Sequence, residues 1–278
     1  MIGPMEKDLC TYELRDGVAI VRLNRPERHN GMTGSLELAY YARLAQANAD
    51  REARVIVVTG AGRSFCPGAD LGHRPGPGEE PLPNTKVPST FPSTIDKPLV
   101  AAINGACAGV GLVQALHCDV RFAATQAKFT TAFARRGLIA EYGIALLLPQ
   151  IVGLAAATDL LVSGRTFLAD EALRLGLVSA VVDRDEVLDH AVAYAADLAA
   201  NVSPASMATI RRQLRAYQSL DLAAAVADSD RLMRESTTGA DFTEGVASFL
   251  EGRAPSFAPL GEGSRSSWMD DEGLSPGR

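Results

Sequence analysis

The chain has 278 residues, 47% of them hydrophobic and 22% charged, with a formal net charge of −6. That length suits one α/β core with an appendage, and the composition excludes a disordered, collagen-like or coiled-coil chain over most of its length. The mild acidic excess gives no electrostatic reason to expect nucleic acid or an anionic membrane as partner, so a small-molecule ligand is expected. Cys10, Cys66, Cys107 and Cys118 form no Cys-x-x-Cys pair and accompany no histidine cluster at ligand spacing, so no metal site is expected. Residues 1–9 lack the apolar stretch of a secretory signal, and no window approaches the roughly 20 apolar residues of a membrane span. A cytoplasmic protein with reduced thiols is the expectation.

In chain order, residues 11–15 and 18–23 flank Asp16-Gly17, which predicts a hairpin. Thr33 and Ser35 offer N-caps to a helix reaching about Ala49, with Leu36, Ala39, Tyr40, Leu44 and Ala47 at helical intervals. Residues 54–59 are too β-branched and too continuously apolar for a surface helix and predict a buried parallel strand. Residues 72–93, rich in Pro and Gly, predict a lid, a binding loop or a disordered segment. A second buried strand over 99–103 leads through a Gly-rich turn, 104–111, into a helix ending near His117 and a strand over 120–124. This rhythm of strand, Gly-rich turn and helix argues for parallel strands with crossovers, without a strict sequence repeat. Helices are predicted over 186–200, 204–218, 222–234 and 242–250, the second capped by Ser203 with Pro204 at its first position. Their apolar faces must pack on the core or on another subunit, and the latter would make an oligomer. Residues 261–278, rich in Gly, Ser, Asp and Glu, are expected to be mobile.

Two turns are candidates for chemistry. Residues 59–71 come directly after the first buried strand, at the strand end where parallel sheets bind ligands. A Gly68-Ala69 turn there can leave the Ala69 N–H pointing into a cleft, with Asp70 capping the residues beyond it; a plain β-to-α turn is the competing reading. Gly109-Val110-Gly111 precedes a helix, so its N–H groups lie at the positive end of the helix dipole. Two backbone donors from separate turns make an oxyanion hole, worth about 3 to 4 kcal/mol per donor in a transition state. The spacing of Gly105, Gly109 and Gly111 does not fit a dinucleotide fingerprint, and no Gly-Lys-Ser/Thr stands for a nucleoside triphosphate.

The ordered set Leu23-Asn24-Arg25-Pro26-Glu27, Val57-Val58-Thr59-Gly60-Ala61-Gly62, Phe65-Cys66-Pro67-Gly68-Ala69-Asp70-Leu71, Lys97-Pro98, Asn104-Gly105 and Gly109-Val110-Gly111 resembles the enoyl-CoA hydratase/isomerase, or crotonase, family. The resemblance covers about residues 12–260, to Gly164-Arg165 and the closing Phe249-Leu250-Glu251-Gly252-Arg253. It implies an α/β spiral of ββα units over 1–200 and a C-terminal helical trimerisation region over 201–260, with a flexible tail over 261–278. It also implies a homotrimer or dimer of trimers, an acyl-CoA thioester as substrate, and no cofactor beyond the coenzyme A that the substrate carries. By position the thioester carbonyl would be held by the amides of Ala69 and Val110. Val110 replaces the family's usual glycine; a β-branched residue disfavours positive φ, so this donor requires ordinary backbone geometry.

Hydratases of the family use two glutamates to handle water, and the matching positions here are Val113 and Phe133. Neither side chain moves a proton, which turns the expectation from hydration toward double-bond isomerisation. Glu141, in Gly137-Leu138-Ile139-Ala140-Glu141-Tyr142-Gly143, matches an acid that in similar isomerases and a dehalogenase reaches the acyl group. It reads as the general base, with capping of a helix opening near Tyr142 as the competing reading. Hydrolase or dehalogenase-like chemistry through Glu141 and non-catalytic acyl-CoA binding are the rival functions. Arg25, Arg28, His29, Cys66, Gly68, Asp70, Leu71, Gly109, Val113, Phe133 and Tyr142 complete the expected substrate contacts, with Tyr142 packing more than donating and Asp70 fixing its own turn. Arg135-Arg136 is expected to form salt bridges, within or between subunits, rather than bind ligand.

Overall fold

A computed structural model describes residues 9–79, 81–83 and 86–261. Its contacts divide the chain into two units, residues 1–199 and 200–278; the tail expected to be mobile lies, from residue 262, outside the described residues.

The hairpin forms as predicted. β1 (Cys10–Arg15) and β2 (Val18–Leu23) pair antiparallel, and Asp16 and Gly17 take the positive φ values, 48° and 78°, that the tight turn requires. Thr33 opens α1 (Gly34–Ala49) by accepting the Leu36 N–H at 3.2 Å, and the helix buries Leu36, Tyr40, Tyr41 and Leu44. At its far end the buried Lys97 ammonium donates to the Ala47 carbonyl at 2.7 Å, and burial pulls its pKa down to about 8.

Three consecutive strand pairs come next: β3 (Val55–Gly60) with β4 (Ser64–Cys66), β5 (Leu99–Ile103) with β6 (Ala106–Ala108), and β7 (Val120–Ala124) with β8 (Lys128–Thr130). The first strand of each pair joins a six-stranded sheet in the order β1-β2-β3-β5-β7-β10, parallel from β2 onward. The second joins a four-stranded sheet in the order β4-β6-β8-β9. α2 (Val110–Leu116) succeeds β6, and α3 (Ile144–Val152) succeeds β8 after a short irregular segment. Each strand pair thus adds one strand to each sheet, and helices follow the second and third pairs, which gives the α/β spiral expected from the sequence.

The unit closes with α4 (Leu154–Ser163), β9 (Phe167–Leu168), α5 (Ala169–Arg174), β10 (Ala180–Val182) and most of α6 (Val187–Asn201). The second unit carries α7 (Pro204–Ala216), α8 (Leu222–Ser236) and α9 (Ala240–Glu251), with Ser203 accepting the Ser206 N–H at 3.0 Å as the predicted cap. Among the described residues no helix is long and apolar enough to cross a membrane.

The two segments read as Gly-rich turns each hold a short strand, β4 or β6, which is a correction to the sequence reading. Glycine lets these strands pack closely. A Cβ at Gly111 would sit 2.2 Å from the Cys66 carbonyl oxygen, so only glycine lets α2 rest on the end of β4.

Candidate active site

A cavity of about 270 Å³ lies beyond the carboxyl ends of β4, β6 and β8, the ends at which parallel sheets place ligands. Residues just past all three strands line it: Pro67, Gly68, Ala69 and Leu71 after β4, Gly109 and Val110 after β6, and Thr131, Ala132 and Phe133 after β8. Leu82 and Pro83 bring the long loop to the wall, and Arg136, Leu138, Glu141 and Tyr142 complete it.

The two turns with candidate donors abut backbone to backbone. A Cβ built at Gly109 would lie 3.6 Å from the Gly68 Cα, and one built at Gly68 would lie 3.2 Å from the Ala108 carbonyl oxygen. Gly68 and Gly109 hold φ values of 107° and 50°, open to glycine and strained for other residues. Gly109 takes the positive φ, and Val110 is the first residue of α2 in ordinary helical geometry, as the β-branched side chain requires. As a first-turn residue Val110 has no intrahelical partner for its N–H. The Ala69 turn is pinned by a parallel bridge to Met32, in which Met32 N–H donates to the Gly68 carbonyl and Asp70 N–H to the Met32 carbonyl, each at 2.8 Å. Ala69, between those two bonds, is exposed on the cavity wall, and among the described residues its N–H donates to no backbone carbonyl.

Glu141 is half-buried on the same wall, and its carboxylate makes no hydrogen bond or ion pair among the described residues. The helix predicted near Tyr142 opens at Ile144, its N-cap is Gly143, and no side chain caps it. The capping role weighed for Glu141 is therefore excluded; only its main-chain carbonyl is used, accepting the Ile144 N–H at 3.1 Å. Tyr142 holds a left-handed φ of 55°, unusual for an aromatic residue and a form of strain that collects at functional sites. Its hydroxyl is buried. Burial first, then the neighbouring Glu37, Tyr41 and Glu141, raise its pKa, so the hydroxyl stays protonated.

The structure does not bring every expected contact to the cavity. Cys66 and Val113 are fully buried behind the wall, the Cys66 thiol lies 3.8 Å from the Gly68 carbonyl, and burial pushes its pKa up to about 12. Arg25, Arg28 and His29 are not on the wall. The two arginines converge on Asp70, with Arg28 Nη2 3.1 Å from Oδ1 and Arg25 Nη2 3.4 Å from Oδ2. The Arg28 hydrogen bond leads in holding the Asp70 carboxyl below its usual range. Asp70 fixes its turn, as read from the sequence.

Sequence reasoning missed Thr131, Ala132, Arg136 and Leu138, because their place on the wall depends on the irregular path after β8. Within the chain, Arg135 and Arg136 form no salt bridge among the described residues. Among the described residues each donates to a backbone carbonyl instead, Arg135 to Ser163 at 2.9 Å and Arg136 to Ala132 at 3.3 Å.

The enoyl-CoA hydratase/isomerase family profile matches residues 13–259. The chain belongs to this family. A Rhodobacter capsulatus protein named as a probable enoyl-CoA hydratase is 38% identical over 254 residues, covering 88% of this chain and 96% of its own. The 1,2-epoxyphenylacetyl-CoA isomerase of Escherichia coli is 32% identical over 249 residues, covering 87% and 95%. The crystal structure of an enoyl-CoA hydratase from Bacillus anthracis superposes with a TM-score of 0.83 at 27% identity, covering 90% of this chain and 99% of that one. The protein is thus an enzyme of the enoyl-CoA hydratase/isomerase family, whose substrates are acyl-CoA thioesters.

Proposed function

We infer that this enzyme stabilises a thioester enolate and moves a double bond along the acyl chain. One observation carries the reading: the Gly68-Ala69 and Gly109-Val110 turns meet at a cavity whose described wall holds a single carboxylate, Glu141. The Ala69 and Val110 N–H groups donate to the thioester carbonyl oxygen. As a carbon-bound proton leaves, charge grows on that oxygen, and each donor stabilises it by about 3 to 4 kcal/mol. Glu141 accepts the proton at one end of the conjugated system and returns it at the other, so the reaction neither gains nor loses atoms. No cofactor beyond the substrate's coenzyme A enters this chemistry. Val113 and Phe133, matched to the glutamates of the hydratases, leave the two-carboxylate route to hydration without its groups.

Glu141→Gln tests the assignment on a panel of enoyl, dienoyl and aromatic CoA thioesters. The expected outcome is a kcat lower by about 100- to 10,000-fold with thioester binding retained. Full turnover by the variant would remove Glu141 from catalysis. A covalent acyl-enzyme seen by mass spectrometry would replace isomerisation with hydrolytic or dehalogenase-like chemistry, and binding without product across the panel would leave a non-catalytic acyl-CoA-binding protein. The same reading includes assembly as a homotrimer or dimer of trimers, supported by exposed apolar residues of the second unit such as Leu214, Leu222 and Phe249.

A further inference from the structure

Besides Glu141 and Tyr142, the cavity wall includes Arg136, an exposed ionisable residue that the reaction above does not use. Arg136 lies on the wall, and among the described residues it pairs with no carboxylate. Its Nη1 donates to the carbonyl of Ala132, itself a wall residue, at 3.3 Å, and the rest of the guanidinium fork makes no hydrogen bond among the described residues. The backbone that places it is unusual. Ala132 is left-handed at φ 61°, and the tight turn Ala134–Arg136 ends at Gly137 with φ 70°. Arg135, one residue earlier, is tied to the Ser163 carbonyl and is absent from the wall.

The cavity that Arg136 helps to line is largely apolar, with Leu71, Leu82, Phe133 and Leu138 among its residues. A hydrocarbon acyl group seated there would strip water from the guanidinium and return no hydrogen bond. An acyl group ending in a carboxylate would give the fork a paired, charge-assisted partner and offset the repulsion it meets from Glu141. The volume of about 270 Å³ is enough for a short acyl group.

We propose that Arg136 selects short acyl-CoA thioesters whose acyl group ends in a carboxylate. The proposal rests on the reading that this cavity takes the acyl portion. Its test compares adipoyl-CoA with hexanoyl-CoA by calorimetry, on wild type, Arg136→Met and Arg136→Lys; both thioesters are saturated, so neither depends on the role of Glu141. Wild type is expected to bind adipoyl-CoA at least about 10-fold more tightly than hexanoyl-CoA. In Arg136→Met that ratio should fall to about 1 through weaker adipoyl-CoA binding, with hexanoyl-CoA bound at least as tightly as by wild type, and Arg136→Lys should keep part of the preference. An absent preference in wild type would overturn the proposal. An equal loss for both thioesters in Arg136→Met would also overturn it, by putting the guanidinium on the coenzyme A moiety. If neither thioester binds wild type, the acyl-CoA reading of the cavity fails as well, a result distinct from a lost preference.

Discussion

Single residues decide this site through the main chain as much as through side chains. The proposed donor at residue 110 is a peptide N–H, and Val110 stands at the first position of α2, where proline fits a helix without loss of an internal hydrogen bond. Val110→Pro therefore deletes the donor, and it also replaces a buried valine side chain with a proline ring. A kcat lower by about 100- to 1,000-fold, with the fold retained, is the expected outcome in steady-state assays and thermal scans, and Val110→Ala, which alters the side chain and keeps the N–H, should lose far less kcat. An unchanged kcat would take Val110 out of the reaction. The Gly68-Ala69 and Gly109-Val110 turns were legible in the sequence as glycine-containing turns after buried strands, and it was the family resemblance that singled out Ala69 and Val110 within them. The location of Arg136 was not legible, since it depends on a left-handed alanine four residues earlier, which no local pattern announces. Val113 and Cys66 were legible as neighbours of the site, but their burial results from the close seat of α2 on β4.

At the level of elements, the start of α1 and the Ala69 turn are one construction. Met32 bridges to Ala69, and the next residue, Thr33, caps the helix, so the cap anchors the strand end that carries a candidate donor. Thr33→Ala should cost about 1 kcal/mol in urea unfolding, and Thr33→Ser should restore most of it. The long buried strands could be read from sequence almost to the residue: 99–103 and 120–124 were expected and are Leu99–Ile103 and Val120–Ala124. Their runs of apolar residues are long enough to carry a pattern. β4, β6 and β8 have three residues each and were hidden inside segments dominated by glycine or irregular structure, because a period of two needs more length to declare itself. α3 was seen only by its opening. Leu146 is 66% exposed and Pro149 interrupts the run, so the helix lacks a clean apolar stripe.

On the scale of the whole molecule, the first unit contains every described residue of the cavity, and the second exposes Ile210, Leu214, Leu222, Phe249 and Leu250. Such exposure exceeds what isolated surface leucines require and is the ground for the proposed assembly. Sedimentation equilibrium should return a mass about three or six times that of the 29.3 kDa chain, and a mass equal to one chain would end that part of the reading. The abutting glycine turns have a further consequence. Codon changes rewrite side chains and leave peptide nitrogens in place, so the proposed grip on a substrate carbonyl would persist while the groups facing it are exchanged one at a time. A scaffold arranged in this way can alter which bond it remakes without first losing its hold on the molecule.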